Sequence, residues 1–174
     1  MGIKIKQTQQ IRFSTNYSQN NYLCLKISDF CYMDNLEQRT YFFKIDATNK
    51  KIRNALQKRF DTEGVDLTVD QWVVLNHSFQ NEGISQIELC DLVYKDAATL
   101  TRIIDLLVKK ELMSRQMAND DRRKFNIFLT DKGRETYHKA FPLMLDIRRQ
   151  GWASLSEDEY QAFTRILDTI FSNF

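Results

Sequence analysis

Apolar residues recur at helical spacing along most of this chain, and polar capping residues mark where the runs begin. From Thr40 to Asp61, Phe42, Ile45, Ile52, Leu56 and Phe60 stand among polar neighbours, the pattern of an amphipathic helix. Three later runs open with one device. Thr68 is followed at three positions by Gln71, with Leu67 before it and Trp72 four after it. Ser85 and Glu88 are flanked by Ile84 and Leu89, and Ser156 and Glu159 by Leu155 and Tyr160. Each set is a capping box with a hydrophobic staple: side chains satisfy free amide donors while two apolar groups clamp the incoming chain. Asp96 and Thr130 are N-caps for two more helices. The one after Thr130 runs through Tyr137 and Phe141 towards Arg149, and Pro142 inside it is expected to bend or split it. The last helix carries Phe163, Ile166, Leu167, Ile170 and Phe171, too apolar for a lone surface helix in a monomer.

The period changes after Ser114. Arg115 and Met117 lead into the charged run Asn119–Lys124, and Phe125, Ile127 and Leu129 then alternate with polar residues, as in a half-buried strand. Two short helices, a strand, a charged tip, a second strand and a new helix follow one another without a gap. That order predicts a mostly α protein with a small β-hairpin: a winged helix-turn-helix DNA-binding domain flanked by dimerisation helices. The expected divisions are a poorly ordered, Gln-, Asn- and Ser-rich extension over 1–39 and an N-terminal dimerisation helix over 40–66. The winged helix-turn-helix follows over 67–135, with C-terminal dimerisation helices over 136–174. The helices at the two chain ends are amphipathic, and Phe163, Ile170, Phe171 and Phe174 need a partner surface. A two-fold dimer would set its reading helices about 34–36 Å apart, one turn of DNA.

Spacing residues by 100° from Asp96 to Lys110 puts Leu100, Ile103, Ile104, Leu107 and Val108 on one face, to pack on the preceding helices. Ala98, Thr99 and Arg102 fall on the opposite face, with Thr101 at its border. Small residues near the helix start let the backbone enter a major groove, threonine hydroxyls bond phosphates or bases, and arginine reaches a guanine edge with two donors. Asp105, on the same side, would repel phosphate and confine contact to the first two turns. Arg122, Arg123 and Lys124 place three cations on the projecting turn, where phosphates or a minor groove beside the reading helix attract them. The bland alternatives are a solvated helix face and a solvated turn.

Composition adds limits rather than direction. With 174 residues and 43% hydrophobic content the chain can bury a core, and a formal charge of only +2 gives no bulk argument for nucleic acid. One Pro and five Gly suit a helical protein. Three cysteines (Cys24, Cys31, Cys90) in no metal-like spacing, with only His77 and His138, speak against a zinc or disulfide framework, so neither metal nor cofactor is expected. There is no Gly-rich phosphate loop, no His-Glu-x-x-His and no nucleophile elbow, which disfavours an enzyme. No run is apolar enough for a membrane span and the N-terminus lacks a signal-peptide core, so a cytoplasmic protein is expected.

The stretches Leu67–Trp72, Thr99–Leu107, Asn119–Lys124, Leu129–Arg134 and Leu155–Glu159 together resemble the MarR (multiple antibiotic resistance regulator) family of bacterial transcription factors. The resemblance covers about residues 40–174, and the charged turn followed by Leu-Thr-Asp-Lys-Gly is its most specific part. It implies a homodimer with interlocked first and last helices, a pseudo-palindromic duplex site bound as a repressor, and DNA contact at Thr99, Thr101, Arg102, Arg122 and Arg123. It also implies release by a small aromatic ligand in a cleft that Phe42, Ile45, Trp72 and His77 could border, although Trp72 reads first as a staple and core residue. Tyr94-Lys95 replaces the usual Gly-containing turn between the two helices, and residues 1–32 have no family counterpart. Two alternatives stay open: a winged-helix protein-interaction module without DNA binding, and a thiol-based redox sensor, which the absence of cysteine from Tyr41-Phe42-Phe43 disfavours.

Overall fold

The computed structural model describes residues 41–117 and 125–174, and the expected N-terminal extension lies outside them. In chain order the elements are α1 (Tyr41–Thr62), α2 (Val69–Gln80), α3 (Gln86–Leu92), α4 (Ala97–Lys109), β1 (Met113–Met117), β2 (Phe125–Leu129), α5 (Asp131–Gly151) and α6 (Glu157–Ser172). Five of the six helices start one residue after the cap that the sequence marks. Thr68, Ser85, Asp96, Thr130 and Ser156 all hold extended backbone, and each side chain accepts from the amide three residues on. The side chains of Gln71, Glu88 and Glu159 reach back to complete their boxes. Each cap is worth about 1 kcal/mol, so five fix the helix boundaries almost independently of tertiary packing.

The core gathers Leu56 and Phe60 from α1, Val74 and Leu75 from α2, Leu89 from α3, Leu100, Ile104 and Leu107 from α4, Ile127 from β2, and Ala140 and Met144 from α5. An aromatic stack ties its helical layers. The Tyr137 ring lies 3.8 Å from Phe79 and 5.4 Å from Trp72, and Phe60 meets Trp72 edge-on at 6.1 Å. Such offset and edge-on pairs add to the stabilisation from burial alone.

The two strands pair antiparallel, from Met113 opposite Leu129 to Met117 opposite Phe125. The segment before α3 adds backbone bonds along the outer edge of β2: the Ile127 amide donates to the Ile84 carbonyl at 2.9 Å, and the Gly83 amide to the Ile127 carbonyl at 3.1 Å. Gly83 turns the chain into this edge at φ +76°, a left-handed conformation open to glycine without penalty.

The hairpin is locked to α5 at one point. The Thr130 amide donates to the Leu112 carbonyl at 3.1 Å, and its hydroxyl donates to the Glu111 carbonyl at 2.6 Å while accepting from the Gly133 amide at 3.0 Å. Gly133 passes so close to the chain that a Cβ there would sit 2.0 Å from the Leu112 carbonyl oxygen. Both roles explain Leu-Thr-Asp-Lys-Gly physically: threonine caps and bridges, and glycine lets two backbones touch.

Pro142 does not split its helix, which runs unbroken from Asp131 to Gly151. Proline denies the His138 carbonyl its amide partner, but Tyr137, Ala140 and Met144 are all buried, so packing carries the helix across the gap. The apolar face of α1 is covered only at its C-terminal end. Leu56 and Phe60 are buried, whereas Phe42, Ile45 and Ile52 are exposed; in α6 no residue is buried at all.

The contact at Gly133 yields a prediction. Gly133→Ala should destabilise the protein by about 1–3 kcal/mol or more, because the obstacle is backbone and cannot rotate away. Denaturant unfolding checks it, and a variant as stable as the wild type would refute the account of this junction.

Candidate nucleic-acid interface

Helix α4 is divided lengthwise. Leu100, Ile103, Ile104 and Leu107 are buried against the core. Val108, expected with them, is exposed, since it lies about 80° round the axis from Leu100 and falls off the edge of the buried stripe. On the outward face Ala98, Thr99 and Arg102 are exposed, joined by Ala97, and Thr101 is half-buried. The paired alanines leave the first turn without side-chain bulk, as close approach to a groove requires.

Hydrogen bonding changes the role of the two threonines. The Thr99 amide and hydroxyl donate to the two carboxylate oxygens of Asp96 at 2.8 and 2.7 Å. The Thr99 hydroxyl, followed by its amide, holds the Asp96 carboxyl below its ordinary value, so the N-cap stays ionised at the positive end of the helix dipole. The Thr101 hydroxyl donates to the Ala97 carbonyl at 2.7 Å and accepts from the Gln86 amide group at 2.8 Å. Both hydroxyl protons are therefore committed within the protein, and a phosphate oxygen, which needs a donor, gains nothing from either in this arrangement. The threonines shape the end of α4 and join it to α3. Arg102 differs: among the described residues its guanidinium has no hydrogen-bond or ion-pair partner, leaving its donors free.

The anion expected to spoil this face is neutralised. Arg115 of β1 reaches Asp105 at 2.5 Å and donates to the Thr101 carbonyl at 3.3 Å. A strand cation thus cancels a helix anion and fastens the hairpin to α4. Sequence reasoning placed Arg115 only as a residue before the tip, and it missed Gln86; both act across 10 and 15 positions, where periodicity carries no signal.

The turn between α3 and α4 is held from below. Lys95 pairs with Asp70 of α2 at 2.7 Å, and Asp70 also pairs with Arg53 of α1 at 2.9 Å. Burial pushes the Asp70 carboxyl up, but hydrogen bonds and charge from Lys95 and Arg53 outweigh it and hold the group below its ordinary value of 3.8. Cys90 is half-buried, and its thiol donates to the Lys95 carbonyl at 2.8 Å.

Arg122, Arg123 and Lys124 lie outside the described residues, as do Cys24 and Cys31. Of the residues expected at an effector cleft, Phe42 and Ile45 are exposed on the first turns of α1, His77 is half-buried, and Trp72 is sealed in the core against Phe60 and Tyr137. Among the described residues no His, Cys, Asp or Glu cluster could hold a metal ion, and no helix is long and apolar enough to cross a membrane.

Residues 67–125 match the model of the MarR family. The chain is 28% identical over 120 residues to the transcriptional repressor MprA of Escherichia coli K12, spanning 67% of this chain and 68% of the relative. Among solved structures, a cysteine-to-serine variant of Escherichia coli MarR in complex with operator DNA superposes with a TM-score of 0.71 at 24% identity, covering 77% of this chain and 95% of the other. A Listeria innocua protein of unknown function is 31% identical with a TM-score of 0.59, covering 80% and 99%. The fold is that of winged-helix MarR proteins.

The Asp70 network has a testable pH signature. A carboxyl held below its ordinary value stabilises the fold above that value and stops doing so as pH falls through it. The stability margin of the wild type over Asp70→Asn should be constant near neutrality and vanish as pH drops through 3.8 and below. Urea unfolding across pH measures it, and a margin that persists in acid would refute the assignment.

Proposed function

The chain belongs to the MarR family, and on that premise we propose that it is a sequence-specific double-stranded DNA-binding transcriptional regulator that acts as a homodimeric repressor on a pseudo-palindromic operator. The observation that carries this reading is the outward face of α4. A bulk-free first turn and an Arg102 without a partner among the described residues stand together on the first two turns of the helix, and the neighbouring anion Asp105 is cancelled by Arg115. Arg102 is the base reader and Ala98 and Thr99 the point of closest approach. Arg122, Arg123 and Lys124 supply phosphate contacts from the tip.

The uncovered helices support the dimer. In α6, Phe163, Ile166 and Phe171 are exposed, and in α1, Phe42 and Phe43. Apolar faces at both chain ends suit an intertwined two-fold interface, which presents one reading helix per half-site. Release by a small aromatic effector follows if the ligand favours one arrangement of the two DNA-binding lobes, and a coupling of about 1–3 kcal/mol suffices. Phe42 and Ile45 are available to line such a cleft, Trp72 only as its inner wall.

A protein-docking role is the second reading, favoured by Ile87, Met117 and Phe125, exposed on α3 and on the paired strands of the hairpin. Binding to the gene's own upstream region and to a random duplex, across a salt series, separates the two. A specific site with a counterion-release slope supports the regulator, and no binding even at low salt supports the docking module.

Two variants locate the contacts. Arg102→Ala should weaken operator binding by roughly 1–3 kcal/mol and relax base preference at one position of each half-site. Arg122→Ala should weaken all sequences alike and make the salt dependence shallower by about one ion. Wild-type affinity in both would show that the reading face lies elsewhere.

A further inference from the structure

The turn before the reading helix carries a tyrosine that neither backbone nor burial accounts for. Tyr94 holds φ +50°, a left-handed conformation that glycine adopts freely and other residues adopt under strain. Its side chain is 79% exposed, so the core gains little from it. What the ring meets is Phe171 of α6, edge to face, with centroids 5.6 Å apart. The next residue is tied as well: Lys95 pairs with Asp70, which Arg53 of α1 shares, and the Cys90 thiol holds the Lys95 carbonyl. The residue after that, Asp96, caps α4.

We propose that Tyr94 and Lys95 are positioning residues for DNA recognition, coupling α6 directly, and α1 through Asp70 of α2, to the start of α4 and so setting the angle at which the reading helix is offered. The inference rests on the DNA-binding reading above. Two consecutive residues immediately before the cap are gripped from different elements: Tyr94 by Phe171 of α6, whose apolar face is exposed, and Lys95 by Asp70 of α2, which Arg53 of α1 shares. The turn is therefore where the dimer scaffold and the reading helix meet through side chains. Neither residue need touch a base. They govern how well two reading helices match the spacing of two half-sites, whereas Arg102 governs base identity.

Tyr94→Gly tests this sharply, because glycine removes the strain along with the ring. A ring with no role makes that variant as stable as the wild type or more so, with unchanged binding, and a purely structural ring makes it less stable. The positioning role makes it as stable or more so, yet about two- to tenfold weaker on its best duplex, the range expected from losing one aromatic pair. It should also discriminate less among duplexes whose half-sites are moved apart or together by one base pair. Tyr94→Phe, which keeps the ring, should behave as the wild type, and Lys95→Arg should bind better than Lys95→Gln. The duplexes are those that the wild-type protein selects from a random pool, and thermal unfolding is followed alongside.

Tyr94→Gly matching the wild type on every spacing would overturn the proposal. So would Tyr94→Phe losing as much as Tyr94→Gly, or a binding loss that only tracks a fall in unfolding temperature. If the wild type selects no duplex, the DNA-binding reading itself fails, an outcome distinct from any difference among variants.

Discussion

Helix α4 has to bury one face in the core while leaving the other open to solvent, and the geometry of the helices and hairpin around it follows from that. Its inner stripe, Leu100, Ile103, Ile104 and Leu107, contributes about 1.5–3 kcal/mol for each side chain removed from water. Those contributions fix the rotation of the helix about its axis. Turning it by a single residue in one sense would drive Thr99 and Arg102 towards the interior and leave an unpaired guanidinium out of water, an arrangement far more costly than any surface contact could offset. The outward face is therefore dictated by what the inward face must bury. Close approach at the helix start needs no further device than two alanines.

Charge placement around this helix follows a similar economy. Asp105 would oppose a polyanion, yet Arg115 from the adjacent strand meets it and at the same time secures the hairpin. Asp96 serves the helix dipole, and Asp70 is enclosed by two cations from different elements. The chain is nearly neutral, but these anions are internally answered while Arg102 has no partner among the described residues. Bulk charge hides that distinction because it counts paired and free groups alike.

What could be seen in the sequence was what is local. Five caps lie within three residues of the amides they serve, so Thr68, Ser85, Asp96, Thr130 and Ser156 mark the helix starts without knowledge of the fold. The inner stripe of α4 was legible for the same reason, except at its edge, where Val108 depends on how far the core extends. The partners of the outward face were not legible. The Gln86–Thr101 and Arg115–Asp105 pairs join separate elements, and only the packed structure shows that the threonine protons are already in use. Of the two outcomes expected at Pro142, a split does not occur: its intrinsic cost is real, but buried neighbours on both sides keep the helix continuous.

The absence of any buried residue in α6 has a thermodynamic consequence beyond shape. A sixteen-residue segment capped at Ser156 has marginal order in water by itself, so its folding free energy must come mostly from whatever it meets outside its own core. Where a second copy covers that face, as proposed above, the order of the segment becomes a function of protein concentration, and dilution weakens it.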